Sequence, residues 1–284
     1  MDESREELLR KRREIASHVA AELRSLPQMD CIYVFGSVAT GYVDAQSDVD
    51  LTCVTQGSIP RAELRCSILS SLGDGWTIQD DALDNPIWAA CDSDGRVDDV
   101  LVTVHYQTTS FIDNLINQVV RDGAIRTEEI PFRPYTLIGM LRQSWLLEDR
   151  YGHFQKWLDQ TATYPKRLQA NVIANFAPVL RDNVAELIST AERGLGPSVF
   201  LFFLTRASDA MSSILYAINE HYDPADRRAE ETILPVLTNV PTSFRARWVD
   251  VLTGPFDGTG MIERAHAFEA IASEVLELAP HEQI

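Results

Sequence analysis

The chain has 284 residues, 45% hydrophobic and 24% charged, the profile of a globular protein with enough apolar material for a substantial core. Its 42 acidic residues against 25 basic ones give a net charge of -17. That balance excludes broad non-specific contact with phosphate backbones or anionic lipid surfaces, both of which require a basic face.

Residues 2–25 read as a helix. Leu8, Leu9, Ile15, Val19 and Leu23 fall near one stripe, and Arg10 to Arg13, interleaved with glutamates, read as its solvated face. Pro27 breaks this helix, Cys31 to Phe35 reads as a buried strand, and Gly36-Ser37 as the start of a polar, turn-rich stretch. A second strand runs from Asp48 to about Val54, followed by a helix over 60–72. Residues 76–78, 87–91 and 97–106 read as further strands, with Asp94-Gly95 as a hairpin turn, and 110–121 as a helix.

From Arg133 onward strand signals vanish. Helical periodicities cover about 135–148, 150–159, 165–192, 197–221, 228–237, 242–252 and 259–278, punctuated by proline and glycine. The pattern predicts an α+β chain, with a small mixed-sheet domain over 1–125 followed by an all-α helical bundle over 126–284. The N-terminus carries Asp2, Glu3, Glu6 and Glu7 and does not read as a signal peptide. The greasiest run, Val199 to Leu204, is too short to span a bilayer. A cytoplasmic protein without membrane contact is expected. Four dispersed cysteines, Cys31, Cys53, Cys66 and Cys91, read as reduced core thiols.

The stretch that carries chemistry is Val34 to Leu51. An apolar strand ends at Gly36-Ser37, and ten residues later Asp48-Val-Asp50 opens another strand. Strand side chains alternate with period two, so Asp48 and Asp50 share one face while Val49 and Leu51 turn to the core. Paired carboxylates at a strand end repel unless a cation sits between them, and Mg²⁺ favours one or two carboxylates together with phosphate oxygens. Gly36 allows close backbone approach to a phosphate, and the Ser37 hydroxyl can donate to its oxygens. Taken singly, an Asp-x-Asp is usually a solvated strand end and a Gly-Ser a turn; the conjunction is more specific.

That conjunction resembles the signature of the nucleotidyltransferase superfamily related to DNA polymerase β, in particular the bacterial branch with a C-terminal helical bundle that includes aminoglycoside and lincosamide adenylyltransferases. The stretches Leu147 to Gly152, Tyr164 to Leu168 and Tyr216 to Tyr222 are similar to such relatives, though less diagnostic. The resemblance implies an enzyme that moves a nucleoside monophosphate, AMP from ATP or another nucleoside triphosphate, to a hydroxyl of a small acceptor such as an aminoglycoside-like compound. It implies Mg²⁺ on Asp48 and Asp50, and a third carboxylate on a neighbouring strand as ligand, base or both. Asp99, with His105 six positions on, matches the pattern of aminoglycoside 3″-type enzymes. A different register puts Thr103 at the acidic position and breaks the triad, and Asp99 is then a turn residue. A nucleotide-binding pseudoenzyme and a protein-nucleotidylating enzyme are the alternative readings.

The chain has only three lysines, and between Cys31 and Ile125 fourteen acidic residues face four arginines. Triphosphate cations are therefore sought elsewhere, and Lys166-Arg167, near a helix N-terminus, is the candidate pair; a solvated basic turn is the alternative. His105 reads as a strand residue near the pocket rather than a ligand. Asp80, Asp81 and Asp84 read as a solvated loop.

Overall fold

The computed structural model describes residues 4–73, 75–79, 91–126, 133–225 and 236–280. They fall into two compact units, one of residues 1–121 and 126–163 and the other of 122–125 and 164–284.

The first unit is built on a six-stranded mixed sheet. Its helices are α1 (Arg5–Leu23), α2 (Gly36–Thr40), α3 (Ala62–Leu69), α4 (Thr109–Asp122), α5 (Pro134–Gln143) and α6 (His153–Gln160). Its strands are β1 (Met29–Phe35), β2 (Val49–Thr55), β3 (Thr77–Gln79), β4 (Cys91–Val97), β5 (Val100–Thr108) and β6 (Trp145–Asp149). The strand order is β3-β4-β5-β2-β1-β6. β2 and β5 run parallel, and the other neighbours are antiparallel.

Period-two alternation divides the sheet chemically. Ile32, Val34, Leu51, Cys53, Val102, Val104 and Tyr106 share one face and form a core with Ile15, Ala16, Val19 and Leu23 of α1. The opposite face carries Tyr33, Phe35, Asp50, Thr52, Thr103, His105, Asp92 and Asp94. Ser4 starts α1 by accepting a hydrogen bond from the Glu7 amide at 3.3 Å.

Two local expectations are corrected. Asp94-Gly95 is not a turn but lies inside β4, and a Cβ on Gly95 would come within 2.2 Å of the Trp76 ring. That glycine serves a close approach of side chain to backbone. The β4–β5 turn is Asp98-Asp99, both at positive φ, 48° and 64°, between the paired Val97 and Val100. A two-residue hairpin needs such a conformation at both positions, and aspartate tolerates it. The helix expected through 148 ends at Gln143, and Trp145 to Asp149 pair with β1 instead. A short apolar run such as Trp145-Leu-Leu is locally ambiguous between helix and strand, and an available sheet edge decides it. The strand expected over 87–91, apart from Cys91, the helix expected over 228–237, apart from its last two residues, and Asp80, Asp81 and Asp84 lie outside the described residues.

The second unit contains α7 (Lys166–Glu192), α8 (Pro197–Ile218), α9 (Phe244–Thr253) and α10 (Gly258–Leu278). Leu168, Val172, Phe176, Leu180 and Leu187 recur at helical spacing along the buried side of α7. Gly194, at φ 62°, closes that helix, and Pro197 opens the next. Among the described residues α8 is long and apolar enough to cross a membrane by length and composition; Phe200, Leu204, Ala207, Met211 and Ile214 on it are buried within the unit. Buried Arg264 donates to the carbonyls of Val251 at 2.6 Å and Leu252 at 3.3 Å, in the last turn of α9, and stacks between Phe200 and Phe256.

Candidate functional site

Two rows of side chains cross the polar face of the sheet. The first is Phe35 on β1, Asp50 on β2, Thr103 on β5 and Asp94 on β4, each in register with the next. The second, two residues along, is Tyr33, Thr52, His105 and Asp92.

At the first row β1 turns directly into α2 through Gly36, which has a φ of 67°. A Cβ added there would lie 3.1 Å from Asp50 Oδ2. The glycine is thus fixed by both backbone conformation and proximity to the carboxylate. Ser37 follows in the first turn of α2, half-buried, and Asp48 and Asp50 are both half-buried.

The approach to Asp48 is held tightly. Asp44 Oδ1 accepts from the Gln46 amide at 2.8 Å, and the Ser47 hydroxyl accepts from the Asp44 amide at 2.9 Å. Arg12, from α1 and only 3% exposed, donates from Nε to the Ser47 carbonyl at 2.7 Å and from Nη2 to the Ala45 carbonyl at 3.2 Å. Although it sits between Lys11 and Arg13 in a basic run, Arg12 is not on the solvated face of α1. It lies instead on the buried stripe with Leu8, Ile15 and Val19, and its spacing of four from Leu8 was the available signal.

The structure separates Asp99 from this row. Thr103 is the β5 residue in register with Asp50, and Asp99 lies four residues back in the hairpin turn, about 13 Å along the strand direction. Its carbonyl accepts from Arg96 Nη1 at 2.7 Å. Thr103, and not Asp99, is therefore the β5 residue beside Asp50. Thr103 Oγ1 donates to Asp94 Oδ1 at 2.8 Å, and Asp94 Oδ2 also accepts from Gln79 Nε2 at 3.0 Å. Asp94 is two strands from Asp50, roughly 10 Å between backbones. Among the described residues no group of three or more His, Cys, Asp or Glu side chains gathers to hold a metal ion.

In the second row, His105 Nδ1 lies 2.7 Å from Asp92 Oδ1. The two side chains are 11% and 23% exposed. The imidazole also packs 5.2 Å from the Phe35 ring, centroid to centroid. Tyr33, Phe35, Thr52, His105 and Gln107 line one wall of a pocket whose other wall is Ile112 and Ile116 of α4 and Ile138 and Leu141 of α5. Burial raises the Tyr33 hydroxyl well above its ordinary range, so it is a neutral donor at the pocket wall.

Lys166 and Arg167 open α7 in the second unit. The Lys166 ammonium pairs with the Glu220 carboxylate and reaches Gln169 Oε1 at 3.4 Å. Its charge is thus partly answered within its own unit.

Residues 17–120 match the family model described as a nucleotidyltransferase domain. This segment holds Gly36, Ser37, Asp48, Asp50, Thr103 and His105. None of the curated proteins matches the sequence. Among solved structures, a nucleotidyltransferase-like protein from Exiguobacterium sibiricum 255-15 is similar at a TM-score of 0.41 and 13% identity, over 95% of this chain and 74% of that one.

Proposed function

We propose that the chain is a nucleotidyltransferase that moves AMP from ATP, or the equivalent group from another nucleoside triphosphate, to a hydroxyl of a small acceptor. One observation carries this reading: the bare backbone of Gly36, at positive φ, sits against the Asp50 carboxylate where β1 ends. Such a cradle admits a phosphate beside a carboxylate without a side chain in the way.

Asp48 and Asp50 fit Mg²⁺, a hard cation satisfied by two carboxylates completed by phosphate oxygens and water. When bound there, the ion supplies charge neutralisation for the departing pyrophosphate. The chain itself carries Asp50 on the polar face of β2 and Asp48 at the loop residue just before that strand, offers the Ser37 hydroxyl to the phosphates, and fixes the Asp48 loop through Arg12. Lys166 and Arg167 are proposed triphosphate cations, and Lys166→Ala with Arg167→Ala tests them through nucleotide affinity.

The test is to incubate the protein with Mg²⁺, each labelled nucleoside triphosphate, and a panel of aminoglycosides, lincosamides and proteins. Pyrophosphate release that disappears in Asp48→Ala supports the reading. Absence of Mg²⁺-dependent nucleotide binding overturns it. The second reading, a nucleotide-binding protein without transfer activity, is favoured by Thr103 in place of an acid beside Asp50. Its signature is binding without pyrophosphate release for any acceptor.

A further inference from the structure

We infer that the pocket beside Asp50 receives an uncharged aliphatic arm of the acceptor, which makes the substrate an apolar alcohol rather than a polycation; this rests on the nucleotidyl-transfer reading above. The pocket lies on the far side of Asp50 from the phosphate cradle. Gly36 and Ser37 follow Phe35 at the end of β1, and Asp48 comes just before β2. Phosphate contacts therefore gather at that end of the two strands. The pocket wall runs the other way, from Phe35 back to Tyr33 on β1 and along β2 to Thr52. Two residues of strand put the Tyr33–Thr52 row about 7 Å beyond the row of Asp50. In nucleotidyl transfer the attacking and leaving oxygens stand roughly in line across the α-phosphorus. With the triphosphate toward Gly36 and Ser37, the acceptor comes in from the pocket side.

The lining sets the class of ligand. Ile112 and Ile116 of α4 and Ile138 and Leu141 of α5 are all buried and form an aliphatic wall; half-buried Leu115 and Met140 complete it. Among the described residues, no Asp, Glu, Lys or Arg side chain lines the pocket. An ammonium placed there would give up its water without gaining a counter-charge. An alkyl chain instead gains about fourfold in affinity for each methylene taken out of water. The free space holds about two water molecules, which fits the end of a chain and not a fused ring system. Spanning the distance from the reacting oxygen and then filling that space takes roughly four to six carbons.

The step balances with ATP and such an alcohol. The alcohol oxygen bonds to the α-phosphorus and its proton leaves to water. The bond from the α-phosphorus to the bridging oxygen breaks, and that electron pair leaves with pyrophosphate.

The experiment uses straight-chain primary alcohols from ethanol to octanol as probes, on wild type, Leu141→Phe and Met140→Ala. Alcohol binding is read by saturation-transfer NMR without metal or nucleotide. Pyrophosphate release is then followed with Mg²⁺ and ATP, and Mg²⁺–ATP affinity is read by calorimetry. In wild type, affinity and kcat/KM should rise about fourfold per methylene to an optimum at roughly four to six carbons, and fall beyond it. Leu141→Phe fills the pocket and should move the optimum to shorter alcohols. Met140→Ala widens it and should move the optimum to longer ones, and it decides the point alone if Leu141→Phe fails to fold. Mg²⁺–ATP affinity should stay at the wild-type value in both. No dependence on chain length, or an optimum that stays put in the folded variants, overturns the assignment. Mg²⁺–ATP affinity that falls with the substitutions puts the nucleoside in the pocket and overturns it too. Alcohols that bind as expected to a protein that binds no Mg²⁺–ATP overturn the transfer reading and leave the pocket's ligand class standing, so the two failures are distinguishable. A wild type that binds both alcohol and Mg²⁺–ATP yet releases no pyrophosphate counts against the acceptor assignment.

Discussion

Arg12 donates to the Ser47 carbonyl at 2.7 Å, one residue before Asp48, so the first helix of the chain sets where the first acidic residue of the site begins. The same guanidinium reaches Ala45, so a single buried cation ties down two consecutive bends of the 44–47 turn. Arg12→Met removes charged donors from carbonyls that have no equivalent replacement and should cost about 3 kcal/mol of unfolding free energy. Arg12→Lys should recover only part of this, because one ammonium cannot serve two carbonyls in a fixed fork. Urea denaturation reads the stability. Calorimetric titration of Mg²⁺–ATP should show a weakened affinity in Arg12→Lys even where that variant is fully folded.

Gly36→Ala tests the cradle. The alanine must adopt a left-handed backbone, costing about 1 kcal/mol, and its Cβ would press on Asp50 Oδ2 from 3.1 Å. Small displacements at a reacting centre are expensive, so Mg²⁺-dependent nucleotide affinity should fall by roughly tenfold or more while the melting temperature falls by a few degrees. Equal nucleotide affinity in the variant would remove Gly36 from the site.

Asp99→Gly should stabilise the protein. The residue sits at φ 64° in a two-residue hairpin, where glycine avoids the left-handed penalty, for a gain of about 0.5–1 kcal/mol in thermal or urea unfolding. Mg²⁺-dependent nucleotide binding should be that of wild type. A loss of binding would make Asp99 a metal ligand.

Thr103→Asp would place a third carboxylate in register with Asp50 and at the same time set it against Asp94, now held by the threonine hydroxyl. Without metal the like charges should lower the melting temperature by several degrees. Added Mn²⁺ or Mg²⁺ should return most of that loss, and should shift wild type far less. A scan of melting temperature against divalent ion concentration measures both.

Alkaline pH should unfold the protein through its buried thiols and phenols. Burial and the neighbouring Cys91 push the Cys53 thiol up to about 12 from an ordinary value near 9. Burial likewise raises Cys31, Tyr33 and Tyr106. A raised value favours the protonated form in the folded state, so the stabilisation is whole below pH 9 and is lost as pH climbs from 9 toward 12. Denaturation midpoints measured across that window should fall steadily. Cys66, the half-buried thiol, should react first with a thiol reagent at pH 8, well before Cys31, Cys53 and Cys91.

Much of this architecture was legible in the chain, and the parts that were not have definite physical causes. The strand ending at Gly36-Ser37 and the one carrying Asp50 were marked by apolar runs and by alternation, which are local signals. The same alternation assigned Val102 and Val104 to the core and Thr103 and His105 to the opposite face. What decided between Asp99 and Thr103 was register, which depends on where the hairpin turns, and Asp94-Gly95 offered a stronger turn signal than Asp98-Asp99. Gly95 answered to Trp76 instead, a contact that no local pattern reveals. Arg12 was hidden because charge outweighed spacing, although the spacing alone put it on the buried stripe. β6 depended on an unfilled sheet edge more than a hundred residues earlier in the chain.

That last strand orders events during synthesis. β1 lies in the sheet between β2 and β6, and β6 is not made until residue 149 has been added. A nascent chain that has just completed the segment from Met29 to Tyr106 therefore holds a seven-residue strand, apolar but for Asp30, with one row of amides and carbonyls open to any other extended chain. The vulnerability closes only when Trp145 to Asp149 arrive, and a shortened chain ending near residue 125 would carry it permanently.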